Sequence, residues 1–428
     1  MKKLLTIACA AIAALSFNSC NTADENDAFK TAVAERITKS SEAPAAGKTI
    51  TKPKYDTVYS VSSNQEAIAK INTIQTAIQN GGGTTQPSRF ELKITDPTPL
   101  TTADITDLKN SLQALYTANS AVRIGLDFSS AQFDNNVITT SSLFGRPNQN
   151  LYLESFVFPS QVADGLSLGD WYFAYNPNLK YVQLPKNLAG FSGSNFYCYN
   201  PPAGSDLKVE IPASVKNLNY AFNYAQSLTE VILNEGLEYI DFIGCKNLKS
   251  IEIPGTVTTI KNYTFQDCTS LKEVKLNEGL TSIEYCAFYK CTSLETINIP
   301  STLTSIGSSA FYNTAIKSIK IPETVTLAVN AIASCPSLES AEINTRTITN
   351  NAFYSCSALK TVVIGENVSK IENYAFNSVP LESVTFKNPK GWSVSGVGPI
   401  SEADLKDPAT AAAKVKQYCD KIWTRSDS

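Results

Sequence analysis

Between Cys245 and Phe376 the apolar positions return in a fixed order. In the stretch that begins at Cys268, CTSLKEVKLNEGLTSIEYCAF, Leu271, Val274 and Leu276 alternate with Glu273 and Lys275. That alternation belongs to a strand with one buried side. A turn and a second inward pair, Leu280 and Ile283, follow, and Phe288 closes the unit. The same order starts at Cys245, Cys291 and Cys356, with a period of about 23 residues. A unit this short cannot bury its own apolar side, so the copies must stack into a solenoid. Leading apolar residues fall at Leu228, Leu248, Leu271, Leu294, Ile316, Leu338, Leu359 and Leu381. The closing residues Phe265, Phe288, Phe311, Phe353 and Phe376 are expected to form an aromatic spine, each contributing roughly 1.5–3 kcal/mol when buried. Proline after the strand, at Pro254, Pro300 and Pro322, sits where a missing N–H is tolerated.

Earlier copies are irregular. ESFVFP (154–159), LKYVQLP (179–185) and LKVEIP (207–212) keep the strand and vary the return. The copy led by Leu228 lacks an Ala-Phe pair, which predicts a shortening or bend at Phe242–Gly244. Before the repeats the period changes. TVYSVSS (57–63) and RFELKIT (89–95) alternate as strands, GGGTTQP (81–87) is a turn, and AIAKINTIQTAIQ (67–79) and ADITDLKNSLQALYTA (103–118) carry helical spacing. Thr102 or Asp104 is available to cap the second helix. This β-α-β-α segment leads into VRIGLDFS (122–129), the expected first solenoid strand, and is read as a shield for the open end. After Leu381 the pattern stops; a helix is expected from about Ala409 to Ile422, with Trp392 and Trp423 covering the last repeat.

The phrase C-x-x-L-x-x-V/I-x-I/L-P/N-x-x-V/L-T-x-I-x-x-x-A-F resembles the BspA-like, or treponemal-type, leucine-rich repeat. The resemblance covers residues 122–388 and is most specific over 245–376. FKNPKGWSV and WTR also look like parts of the end cap of spirochaetal members. It implies an α/β solenoid, a leucine-rich repeat with parallel strands on the concave face, a small α/β N-terminal segment and a C-terminal cap. It further implies adhesion or protein binding at a bacterial surface, with host matrix proteins such as fibronectin and fibrinogen, or bacterial surface proteins, as partners. It carries no list of binding residues, because the motif leaves the outward positions free.

The organisation expected is a signal peptide (1–19), a lipid-anchored flexible tether (20–55), an α/β N-terminal segment (56–121), leucine-rich repeats (122–388) and a cap (389–428). The start, MKKLLTIACAAIAALSFNSC, is basic, then apolar for too short a run to span a bilayer, then small before Cys20. Cys20 is the expected lipidation site, although Phe17 and Asn18 depart from the usual box; an ordinary signal peptide cut near Ser19 would leave Cys20 a free thiol. Lipid there would make an anchored outer-membrane lipoprotein of the bacterial cell envelope, displayed at the surface. Net charge is -3, from 36 basic and 39 acidic residues, so no broad field draws nucleic acid, and a monomer is expected. Ten cysteines in an exported chain would ordinarily suggest disulfides. Cys245, Cys268, Cys291, Cys335 and Cys356 instead share one repeat position, which makes a packed column and not a tetrahedral metal cluster; disulfides between neighbours are the alternative.

The chain has no histidine, which removes Ser-His-Asp and Cys-His nucleophile systems and imidazole metal sites. GVG at 396–398 is too short for a dinucleotide loop, and no cofactor is expected. A polysaccharide-degrading β-helix enzyme would need a carboxylate cluster, and Glu252 with Glu273 is the nearest approach. Acids and lysines alternate along the outward columns, which suits cross-strand pairing. The candidate ligand-binding face is Tyr181, Ile232, Glu252, Glu273, Lys275, Asn298, Lys320, Glu342 and Val363. Outward apolar residues there (Tyr181, Ile232, Val363) point towards contact with a partner. Tyr289, Tyr312 and Tyr354 would line a second strip by the spine, as rim packing or as recognition. The function expected is non-catalytic binding of protein, with glycan capture as the alternative and an enzyme as a remote third.

Overall fold

The computed structural model describes residues 50–80, 88–141, 143–145 and 151–426. The chain divides at Thr49, and the unit described runs from Ile50 onwards. The signal peptide, Cys20, the tether as far as Thr49 and the turn at 81–87 lie outside the described residues. Among the described residues no helix is long and apolar enough to cross a membrane.

The inward–outward alternation builds a spiral of parallel strands. Seven pair in the order Val58–Val61, Arg89–Ile94, Arg123–Asp127, Leu153–Val157, Tyr181–Gln183, Leu207–Glu210 and Leu228–Ile232. Ser250–Ile253, Glu273–Leu276 and Thr296–Ile297 continue it, followed by Ser318–Ile321, Ser340–Ile343, Thr361–Ile364 and Ser383–Phe386. A narrower parallel ladder (Thr259–Ile260, Ser282–Ile283, Ser305–Ile306, Thr326–Leu327) marks the second inward pair of each copy. The α/β segment belongs to the same spiral. Its strands join the main sheet directly, with Glu91 opposite Gly125, and the helices Asn64–Gln79 and Thr102–Ala118 stand where later coils have a tight return. The second helix is capped by Thr101, one residue before the expected Thr102, and Asp104 completes a reciprocal capping box.

The spine forms, and it is longer than the repeat phrase suggests. Rings stack from Phe173 through Phe196, Phe222, Phe242, Phe265 and Phe288 to Phe311. Ile332 interrupts the stack before Phe353 and Phe376 resume it at 5.4 Å. Phe242 sits 5.5 Å from Phe222 and 5.6 Å from Phe265, so the Leu228 copy shortens its return without leaving the stack. In most coils left-handed residues flank the spine residue two positions away on each side. Tyr263 and Asp267 bracket Phe265 at φ of 63° and 59°, and Cys286 and Lys290 bracket Phe288 at 53° and 59°. Non-glycine residues adopt this conformation at a cost of about 1 kcal/mol each. Burial of the phenylalanine between them offsets it.

The cysteine column is buried, and each thiol donates to a carbonyl of the preceding coil. Cys245 Sγ bonds Phe222 O at 3.0 Å, Cys268 bonds Phe242 O at 3.2 Å, and Cys291 bonds Phe265 O at 3.0 Å. Cys335 reaches Phe311 O at 3.1 Å and Cys356 reaches Ile332 O at 3.1 Å. The described cysteines are all free. Burial pushes the Cys245 and Cys291 thiols well above their ordinary value, so neither of these two offers a thiolate for attack. In the folded protein iodoacetamide is expected to modify the half-exposed Cys419 about a hundredfold faster than Cys268, a ratio that collapses in denaturant. Peptide mapping by mass spectrometry reads it; equal labelling in the native state would contradict the buried column.

At the far end, Trp423–Arg425 runs antiparallel to Lys370–Ile371 and to Trp392–Val394, which ends the parallel progression. Trp392 and Trp423 are buried and meet Phe386 at 5.3 and 6.3 Å, so both tryptophans cover the last repeat. The cap helix is Pro408–Gln417, shorter than the expected Ala409–Ile422, because the chain must turn to deliver Trp423 into its strand.

Candidate binding face

Parallel register places equivalent outward residues of successive coils side by side. Glu252 lies opposite Lys275 and the pair closes at 2.6 Å; Lys320 lies opposite Glu342 and closes at 2.9 Å. Burial alone would push Glu342 up, but bonds from Lys320 and Asn344 outweigh it and hold the carboxyl below its ordinary value. Glu273 stands in the neighbouring column between Ser250 and Thr296, and Glu252 is engaged by Lys275, so the two carboxylates are not a matched acid–base pair. Val363 is half-buried between Glu342 and Thr385, and Ile232 is half-buried beside Glu210.

A further charged column, missed in the sequence reading, follows the leading apolar residue of each copy from Leu248 to Leu381. Lys317 pairs with Glu295 at 2.6 Å and Lys360 with Glu382 at 2.8 Å. Its signal was present as a charge directly after the lead at Lys249, Lys272, Glu295, Lys317, Glu339, Lys360 and Glu382. Such exposed pairs add little stability; they set the charge pattern a partner meets.

Two predicted site residues are placed differently. Asn298 is committed to the neighbouring strand: its Nδ2 donates to Leu276 O at 2.6 Å and its Oδ1 accepts from Leu276 N–H at 2.8 Å. It extends the ladder where the strand Thr296–Ile297 ends. Tyr181 is half-buried and lines a cavity of about 220 Å³ together with Ile50, Gln183 and Glu210.

The cause of the Tyr181 burial is a strap. Residues 50–57, the first part of which was expected to be flexible tether, lie across the outward side of the first strands. Lys52 Nζ stands 2.7 Å from both Glu91 and Asp127, and Tyr55 Oη is 2.9 Å from Ser155 Oγ. Beside them Glu154, almost wholly buried, holds Arg89 at 2.5 Å and Lys180 at 2.8 Å. Burial would raise the Glu154 carboxyl, but Lys180 and Arg89 outweigh it and keep it below the ordinary value. The outward side is therefore covered at the N-terminal strands. From Leu228 onwards the face is exposed, and charge pairs such as Glu252–Lys275 and Lys320–Glu342 alternate there with a column rich in serine and threonine.

Among the described residues no group of 3 or more acids and cysteines is placed to hold a metal ion. By the return turns the exposed Tyr263 and Tyr285 meet edge-on at 5.4 Å, and the half-buried Tyr289 and Tyr312 stack at 5.2 Å.

A stacked-coil protein with a long strand face, a continuous spine and a sealed end is a leucine-rich-repeat solenoid. The chain belongs to the BspA-type leucine-rich repeat family, whose model matches residues 148–242, 241–348 and 287–391 in 6 copies. Among solved structures it is similar to a leucine-rich repeat protein of Bacteroides ovatus, with 25% identity over 55% of this chain and a TM-score of 0.41. The chain spans 62% of that protein's length. It is also similar to the pneumococcal vaccine antigen PcpA, with 21% identity, 70% of this chain and 73% of that one covered, and a TM-score of 0.37. A leucine-rich cell surface protein of Faecalibacterium prausnitzii shares 20% identity over 59% of this chain and 90% of that one, with a TM-score of 0.29. No curated protein matches the chain.

Proposed function

We propose that this protein is a non-catalytic cell-surface binding protein that recognises a protein partner, as an adhesin does, on the strand face between Leu228 and Phe386. The observation that carries this reading is the pattern of that face: paired charge columns with the half-buried aliphatic residues Ile232 and Val363 set among them. Aliphatic anchors desolvate well, and fixed alternating charge supplies selectivity. Anchorage through lipid on Cys20 in the bacterial outer membrane, with the repeats displayed outwards, completes the reading, and host matrix or bacterial surface proteins are the partner class.

The test is a biosensor titration of the full chain against fibronectin, fibrinogen and bacterial surface proteins at physiological salt. Saturable binding should weaken at least tenfold, about 1.4 kcal/mol, on Ile232→Asp or Lys275→Glu. Lys275→Glu sets a second carboxylate against Glu252. Binding that ignores both substitutions would move the site off this face.

Glycan capture is the second reading, and the exposed pair Tyr263 and Tyr285 favours it, because tyrosine rings stack on sugar rings. A glycan array answered by wild type and lost in Tyr263→Ala/Tyr285→Ala, with no protein bound, would replace the first reading.

A further inference from the structure

The strap across the N-terminal strands is held as a ligand is held. Its anchors are side chains. Lys52 sits between Glu91 and Asp127, whose side chains are only 7% and 8% exposed. The Tyr55 ring rests on Gly125, where any Cβ would come within 2.7 Å of it, and Arg89 lies over the ring at 4.6 Å from its centre. The strap backbone enters the sheet only at its end, where Glu91 N–H donates to Thr57 O at 3.0 Å. Upstream, Lys54 O accepts from Arg89, while Thr51 and Lys54 are exposed. The residues that receive the strap are preorganised by the fold: Glu91 and Asp127 project from strands that pair with one another regardless of the strap. Two carboxylates on such strands repel unless a cation lies between them. Asp127 gives its Oδ1 to Ser129 N–H at 2.9 Å, and its Oδ2, with Glu91, is left to hold the cation. Segments fixed by few side chains and little backbone pairing open at low free energy.

We propose that this end of the strand face is a peptide site, selective for an extended segment with a lysine and, three residues later, a tyrosine. The chain fills it with its own Lys52 and Tyr55, and a partner peptide of the same chemistry takes the site by displacing them. Glu91 and Asp127 read the cation, Ser155 reads the phenol, and bare Gly125 admits the ring. The site lies on other coils than the face between Leu228 and Phe386, so it stands or falls independently of the function proposed above.

A fluorescently labelled synthetic peptide of residues 50–57 is titrated onto the full chain, wild type and Lys52→Ala/Tyr55→Ala, with anisotropy as the readout. The variant, its strap released, is expected to bind at least tenfold tighter than wild type, whose own strap competes. Glu91→Gln/Asp127→Asn in the variant background, or Lys52→Glu in the peptide, is expected to abolish binding. Binding by the variant no tighter than by wild type, or indifferent to Glu91→Gln/Asp127→Asn, would overturn the proposal. Wild type supplies a readout that no substitution can compromise. Trypsin should cut after Lys54 well before the repeats are degraded, and faster as added salt screens the Lys52 pairs. Cleavage there only at the rate of global unfolding would show a strap that does not detach, and the displacement mechanism would fail.

Discussion

Phe288→Ala is expected to destabilise the protein by about 3–5 kcal/mol. Phe288 is fully buried and lies between two parallel rings, Phe265 at 5.1 Å and Phe311 at 5.2 Å, with interplanar angles of 5° and 3°. Truncation would remove the transfer free energy of the ring and leave a cavity walled by two flat faces. Those faces cannot collapse, because each is fixed by a backbone with left-handed residues on both sides of the ring. Urea denaturation followed by circular dichroism measures the loss. Because coils touch only their neighbours, the variant should also broaden or split its transition as the two flanks unfold separately. Phe288→Leu keeps most of the volume and should cost less than about 1.5 kcal/mol. A Phe288→Ala loss under about 1 kcal/mol would mean that the spine is not the main local source of stability.

Asp241→Asn is expected to stabilise the protein at pH 8 by up to about 3 kcal/mol and to leave it nearly unchanged at pH 4. Asp241 occupies the position just before the spine residue, where the other coils from Phe222 to Phe376 carry alanine or threonine. Burial there pushes its carboxyl up to about 6, only partly offset by bonds from Ile243 N–H, Tyr239 and Asn223. A carboxyl whose folded value exceeds its unfolded one binds its proton more tightly when folded. The stabilisation is thus full below the unfolded value of 3.8 and is lost as pH rises through about 6. Asparagine keeps the size and never ionises. Glu154 and Asp127 act in the opposite sense: ion pairs hold both below their ordinary values, so their contribution is lost as pH falls through those values. The difference between variant and wild type, and not either profile alone, is therefore the readout. Thermal melts between pH 4 and pH 8 measure it, and a constant difference would place the Asp241 charge in a well-solvated site.

Much of the architecture was legible because it is periodic. The cysteine column and the regular part of the spine follow from residues that recur at one repeat position, and the Glu252–Lys275 and Lys320–Glu342 pairs follow from parallel register. What escaped was non-periodic. Phe242 was hidden from the spine because Asp241 replaces the small residue that normally announces it. Asn298 read as an outward surface residue, yet its amide is spent on the backbone of Leu276. The left-handed residues beside the spine include tyrosine, serine, asparagine, lysine and cysteine, and no residue type marks them.

Sequence alone determined the stacking unit, its strand alternation and which side chains share a column, because these depend on neighbours a few residues apart and on one repeated spacing. Only the tertiary structure decided which part of the strand face is open. That outcome rests on Lys52 meeting Asp127 across 75 residues and Tyr55 meeting Ser155 across 100, contacts between a segment with no apolar period and strands already formed. A charge and a phenol in an irregular segment carry no sign of where they dock. Their partners are brought together only when the coils have stacked and set Glu91, Asp127 and Ser155 on neighbouring strands.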